Sequence, residues 1–171
     1  MAPALIGWES ADLGVSFFFH QGTSDEHLSL LEHLSPAHDR LSAVIVTTPQ
    51  AVALMDAMKS LSFTRTVKLP VLGIVENMSG YVCPCCGEIS NVFSTGGGEE
   101  MAGREGVPFL GALPVDTELV SLLDGGTERE GCQLPEGAEA RGFSLAKRYE
   151  ETPSGKLFKK VLDRLLEYLP M

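Results

Sequence analysis

Ala43-Val44-Ile45-Val46-Thr47-Thr48-Pro49-Gln50 and, farther along, Pro70-Val71-Leu72-Gly73-Ile74-Val75 decide the fold. Each holds a continuous apolar run rich in β-branched residues, the composition of strands buried on both faces of a parallel sheet. After the first run, Thr48-Pro49-Gln50 starts a helix with Pro near its first turn. Val52, Met55, Lys59 and Phe63 follow, and the helix is expected to end near residue 65. Ser94 to Gly106 holds the next helix behind a triple glycine, Val107-Pro108-Phe109-Leu110-Gly111 a third strand, and Asp116 to Leu123 a short helix. Strands alternating with helices predict an α/β fold with a doubly wound parallel sheet in a three-layer αβα arrangement. Its crossovers are expected to be right-handed. Ligands of such sheets sit beyond the carboxyl ends of the strands, so the loops after Val46, Val75 and Leu113 are where a site belongs.

Outward from this centre the signals weaken. Toward the amino end, Gly14 to His20 reads as a strand. Thr23 or Ser24 then caps a helix whose first turn carries Asp25 and Glu26, with Leu28, Leu31 and Leu34 at helical spacing and Ser35-Pro36 as its stop. Toward the carboxyl end, residues 125–151 mix Gly125, Gly126, Gly131, Gly137 and Gly142 with charges, and read as an exposed loop or insertion. Thr152-Pro153 opens a last helix. Phe158, Val161, Leu162, Leu165, Leu166 and Leu169 form one apolar stripe along it, suited to docking on the sheet.

Composition narrows the function classes. The chain has 171 residues, of which 44% are hydrophobic, with 13 Lys+Arg against 23 Asp+Glu and a net charge of −10. That is a globular composition. Arg40, Lys59, Arg65, Lys68 and Arg104 are scattered, and Lys156, Lys159, Lys160 and Arg164 read as one solvated helix face. A nucleic-acid partner, which needs a net basic face, is therefore not expected. Nor is a membrane span: the longest greasy stretch, Val15-Ser16-Phe17-Phe18-Phe19, is far short of the about 20 apolar residues required. The opening Met1-Ala2-Pro3-Ala4-Leu5 lacks the basic head of an export signal, so a cytoplasmic location is expected.

Four cysteines are too few for a disulfide scaffold, and three of them crowd into Cys83-Pro84-Cys85-Cys86. Cys83 and Cys86 have the spacing that lets two thiolates face one metal. Several readings stay open for them. A redox pair normally precedes a helix, whereas Gly87-Glu88-Ile89-Ser90 is not helical. A structural zinc knuckle needs two more ligands. A site to which two subunits each give two thiolates fits the count, and soft thiolates select zinc or iron–sulfur clusters. The plain alternative is unligated loop thiols.

Two further stretches bear on nucleotides. In Glu76-Asn77-Met78-Ser79-Gly80, Asn77 offers both a donor and an acceptor to a purine edge, while turn chemistry explains an Asn after a strand equally well. Pro114-Val115-Asp116 ends the next strand and can line the same base. Ser94-Thr95-Gly96-Gly97-Gly98-Glu99-Glu100 has the look of a phosphate loop, but its two glutamates would repel phosphate, and a capping loop is the better reading. The pattern Gly, four residues, Gly, Lys, Ser/Thr occurs nowhere; at Gly155-Lys156, Glu150 stands where the first Gly belongs and Leu157 where Ser/Thr belongs.

Taken together, Val44 to Gln50, Gly73 to Gly80, the Cys-Pro-x-Cys of Cys83 to Cys86, Val92 to Glu100 and Gly106 to Asp116 resemble the Mrp-type ATPases, MinD-like P-loop proteins of iron–sulfur cluster assembly. Gly22 to Leu28 and the last helix are similar as well. The resemblance spans 22–124 and 145–169, leaves 1–21 as an unmatched segment, and is nearest to the smaller cytosolic scaffold type. It implies the carboxyl-terminal part of a P-loop NTPase domain over 22–171. It also implies a [4Fe-4S] cluster bridging two subunits through Cys83 and Cys86, and ATP with Asn77, Pro114 and Asp116 near its base or ribose. The implied partners are a second copy or the larger scaffold subunit of the family, and the apoproteins that receive clusters. Family members carry an amino-terminal Gly-Lys-Gly-Gly-Val-Gly-Lys loop and an Asp-Thr-Pro-Pro-Gly switch. The first has no counterpart here and the second is replaced by Phe18-Phe19-His20-Gln21-Gly22, so no ATPase activity is expected of this chain alone.

Overall fold

A computed structural model describes residues 7–10, 15–18, 24–83, 88–90, 95–117, 119 and 148–169. They belong to two compact units, residues 1–41 and 42–171. In the first unit, β1 (Gly7–Ser10) and β2 (Val15–Phe18) pair antiparallel, with Gly7 opposite Phe18 and Ser10 opposite Val15. β2 lies inside the expected strand; β1 had no periodic signal to announce it. Helix α1 (Ser24–His33) carries Asp25 and Glu26 in its first turn, where the helix dipole favours anions. It gives way to a 3-10 turn, Ser35–Arg40, with Pro36 at its start.

The second unit is built on three parallel strands in the order β3 (Ala43–Thr47), β4 (Val71–Glu76), β7 (Phe109–Ala112). Helix α2 (Ala51–Thr66) connects β3 to β4. A short hairpin, β5 (Tyr81–Val82) with β6 (Ile89–Ser90), and helix α3 (Gly97–Glu105) connect β4 to β7. This is the alternation expected from the apolar runs. Pro49 stands just ahead of Gln50, the N-cap of α2.

Strand register sorts the side chains into two faces. Ile45, Ile74 and Phe109 stand side by side across the sheet. They pack with Ala57 and Leu61 of α2 and with Met101 and Ala102 of α3. The side chain of Arg65 joins the carboxyl ends of these helices, donating to Glu105 Oε2 at 2.8 Å and to its carbonyl at 2.9 Å. The opposite face takes the alternate residues. There Leu110 lies over Gly73, so close that a Cβ at Gly73 would stand 2.5 Å from Leu110 Cγ. Helix α4 (Pro153–Tyr168) packs on this face against β7 and β4. Its buried residues Val161 and Leu165 fill the contact, and Gly111 lets Val161 approach to where a Cβ would be 2.8 Å away. The result is helix, sheet, helix in three layers.

Two expectations need correction. Ala43 to Thr47 is not buried on both faces: Val46 is 60% exposed. β3 is at the edge of the described sheet, and α4 packs mainly on β7 and β4. The apolar stripe of α4 is likewise docked on only part of its width. Val161 and Leu165 are buried, while Phe158 and Leu166 are 39% and 45% exposed, because one helix touches a sheet along a line narrower than the stripe. The short helix from Asp116 is described only at 117 and 119; its remainder, and the loop reading of 125–151 up to residue 147, lie outside the described residues. Residues 148–150 are helical. Among the described residues no helix is long and apolar enough to cross a membrane.

Candidate functional site

The carboxyl ends of the three parallel strands are stitched together by main-chain hydrogen bonds. Asn77 N donates to Thr47 O at 2.7 Å, which ties the chain leaving β4 to the end of β3. On the other side Leu113 N donates to Glu76 O, Ser79 N to Leu113 O and Val115 N to Gly80 O, at 2.8, 2.9 and 2.8 Å. Tyr81 then runs parallel to Val115 as an isolated bridge. Asn77, Pro114 and Asp116 therefore sit on two adjoining segments at one end of the sheet, where an open α/β fold binds ligands.

Within that frame the three differ. Asn77 is exposed, and its Oδ1 accepts from Met78 N at 2.9 Å, so the carbonyl end of the amide is engaged in its own turn. Pro114 is buried. Asp116 is half-buried, and its Oδ1 accepts from Leu119 N over 3.4 Å, the position of a helix cap. Asp116 also faces Tyr149, just before α4. Partial burial of the phenol, and next the Asp116 carboxylate, raise the Tyr149 pKa above its ordinary 10.0. Tyr149 further packs its ring on Phe158, with centroids 6.3 Å apart.

Glu76 is the residue that sequence reasoning passed over. It is the last residue of β4, 0% exposed, and its carboxylate enters the amino terminus of α3. Gly98 N donates to Oε2 at 2.6 Å, Gly96 N to Oε1 at 3.1 Å and Ser79 Oγ to Oε1 at 2.6 Å. Gly96 has φ of 83°, a left-handed conformation that glycine adopts without penalty. At Gly98 a Cβ would stand 3.1 Å from both Cβ and Oε2 of Glu76. The glycines thus open a helix terminus to a carboxylate of the chain itself. That agrees with a capping loop at Ser94 to Glu100, and the anion held there is Glu76. The signal for it was an acidic residue closing an otherwise apolar buried strand, since a buried carboxylate requires donors.

The hairpin that leads into the cysteines starts at the same end. Tyr81 pairs with Ser90 and Val82 with Ile89, and Cys83 N donates to Glu88 O at 2.9 Å, so the hairpin narrows onto Cys83. Cys83 is half-buried. Pro84, Cys85, Cys86 and Cys132 lie outside the described residues. The chain after the loop is strand, the environment unsuited to a helix-activated redox pair. Among the described residues no three His, Cys, Asp or Glu side chains converge as a metal site.

Comparison with known proteins follows the same residues. Residues 19–147 match the family described as ParA: NUBPL iron-transfer P-loop NTPase. The chain is 55% identical over 107 residues to the cytosolic Fe-S cluster assembly factor NUBP2 of Bos taurus, covering 63% of this chain and 39% of that protein. It is 45% identical over 143 residues to the cytosolic Fe-S cluster assembly factor CFD1 of Yarrowia lipolytica, covering 84% of this chain and 44% of that protein. The chain thus spans less than half the length of either relative. A solved nucleotide-binding protein of Archaeoglobus fulgidus, in complex with ADP, superposes with a TM-score of 0.51 at 35% identity, covering 64% of this chain and 44% of that one.

Proposed function

Since the chain belongs to the NUBPL iron-transfer P-loop NTPase family, we propose that it acts as a cytosolic scaffold for iron–sulfur cluster assembly. Its relatives named as cytosolic Fe-S cluster assembly factors support this role. The cluster is cargo. Cys83 and Cys86 each give one thiolate, and a second copy or a larger subunit of the same family gives two more to complete a [4Fe-4S] site. Transfer to an apoprotein is then ligand exchange, each acceptor thiolate replacing a scaffold thiolate on iron. Two ligands per chain favour that exchange, because neither subunit alone encloses the cargo.

The observation that carries this reading is Cys83 at the narrowed end of a hairpin anchored to the carboxyl ends of the sheet. On this reading the hairpin root fixes where Cys83 leaves the sheet, and a second subunit completes the ligand set there. On the same reading Asn77, Pro114 and Asp116 border a purine site. On this proposal the Asn77 amide nitrogen supplies a donor to the base and the Asp116 carboxylate an acceptor for a ribose hydroxyl; that a structural neighbour was solved in complex with ADP supports a nucleotide as the ligand class. The Gly-x4-Gly-Lys-Ser/Thr pattern that holds phosphates occurs nowhere in the chain, so ATP hydrolysis is not assigned to it alone.

Anaerobic reconstitution with iron and sulfide tests the proposal. Thiolate-to-iron charge-transfer absorbance is expected in the wild type and lost in Cys83→Ser with Cys86→Ser. Zinc bound without sulfide would instead make the chain a zinc-binding interaction module. An unchanged cluster in the double variant would remove these cysteines from the site.

A further inference from the structure

We propose that Glu76 is a positioning residue that, through Ser79, holds the turn between β4 and the cysteine hairpin. This rests on the reading of Cys83 and Cys86 as cluster ligands. Four residues separate the end of β4 at Glu76 from the start of β5 at Tyr81. Within them Met78 has φ of 57°, a left-handed backbone that costs a side-chain-bearing residue free energy and persists only where its surroundings enforce it. Asn77 Oδ1 accepts from Met78 N at 2.9 Å and Met78 O from Gly80 N at 3.1 Å, both within the turn itself; the contact that ties the turn to the buried body of the protein is Ser79 Oγ to Glu76 Oε1 at 2.6 Å.

Glu76 is itself held on several sides. It is fully buried, its carbonyl accepts from Leu113 N, and its carboxylate is gripped by Gly96 and Gly98 at the start of α3. A single side chain thereby connects the amino terminus of α3 to the turn that bears Asn77 on one side and leads into Cys83 on the other. Main-chain bonds alone hold Ser79 and Gly80 against Leu113 and Val115. They fix where the segment runs, while the Ser79 hydroxyl fixes the left-handed turn before it. Losing the hydroxyl removes the side-chain restraint on the left-handed turn, leaves the main-chain bonds in place, and so loosens the root of the hairpin without detaching it.

The test compares Ser79→Ala, Ser79→Thr and Glu76→Gln in the full chain after iron–sulfide reconstitution, reading the visible circular dichroism of the cluster and the rate at which an iron chelator removes it. Ser79→Ala keeps both glycine contacts of Glu76 and is expected to fold. It should lose its cluster roughly fivefold faster than wild type, the factor expected from one hydrogen bond, with an altered dichroism spectrum. Ser79→Thr, which restores a hydroxyl, should return both to wild-type values. Glu76→Gln should match or exceed Ser79→Ala wherever it folds. A wild-type dichroism and chelation rate in Ser79→Ala overturns the inference, even if its melting temperature falls. A wild type that takes up no cluster overturns the scaffold reading instead.

Discussion

Gly98 N meets Glu76 Oε2 at 2.6 Å, joining the first turn of α3 to the last residue of β4 in a place closed to water. The contact supplies a buried anion to orphan backbone donors at a helix start, and donors to an anion that has none from water. Replacing the carboxylate with an amide breaks that match, since the amide nitrogen confronts a backbone N–H that then lacks an acceptor. Glu76→Gln is expected to cost about 1–3 kcal/mol, read from urea denaturation of the two proteins.

Two glycines predict opposite signs. At Gly73 a Cβ would stand 2.5 Å from Leu110 Cγ, 2.8 Å from its Cδ2 and 2.9 Å from its Cδ1. Leu110 is 1% exposed and has nowhere to retreat. Gly73→Ala should destabilise by about 1–3 kcal/mol. Gly103, inside α3, has nothing within 4 Å of its would-be Cβ. Gly103→Ala should stabilise by roughly 0.5–1 kcal/mol through helix propensity. Thermal melting of both variants checks the pair.

The last helix depends on its cap. Thr152 Oγ1 accepts from Gly155 N at 3.0 Å while its hydroxyl donates to Tyr149 O at 2.7 Å. Thr152→Ala removes both and should cost about 1–2 kcal/mol, whereas Thr152→Ser should cost far less. Helicity and the melting temperature are the readouts.

Tyr149 gives a pH dependence with a definite sign. Burial, and next the Asp116 carboxylate, raise its folded pKa above 10.0. The folded state therefore keeps the phenol proton longer than the unfolded chain does. This contribution to stability is complete below the unfolded pKa and is lost as pH rises through the folded one. Stability should fall in the alkaline range above the ordinary tyrosine pKa. Asp116→Asn should move the Tyr149 titration back toward that value, followed by tyrosinate absorbance with Tyr149→Phe as the reference.

Much of the architecture was legible in local pattern. Val44, Ile45 and Val46, then Val71, Ile74 and Val75, are apolar and β-branched, and that choice alone marks strands. Leu28 and Leu31, or Val161 and Leu165, repeat at helical spacing, and that marks helices. These signals lie within a few residues of each other, so they survive in a one-dimensional reading. The β5–β6 hairpin was not legible, because two-residue strands carry no period. The exposure of Val46 was not legible either, since it depends on how far α4 extends across the sheet.

By itself, then, the sequence determined the parallel sheet, its helices and the spacing of Cys83 and Cys86. Each follows from backbone preference and side-chain periodicity along neighbouring residues. Only the tertiary structure decided what Glu76 does. Its partners Gly96 and Gly98 come from another element, and a glycine-rich loop has the same composition whether it awaits a phosphate or already holds a carboxylate. The tertiary structure likewise placed Asn77 and Pro114 on adjoining segments, because hydrogen bonds between Ser79 and Leu113, and between Val115 and Gly80, form only once β4 and β7 lie side by side.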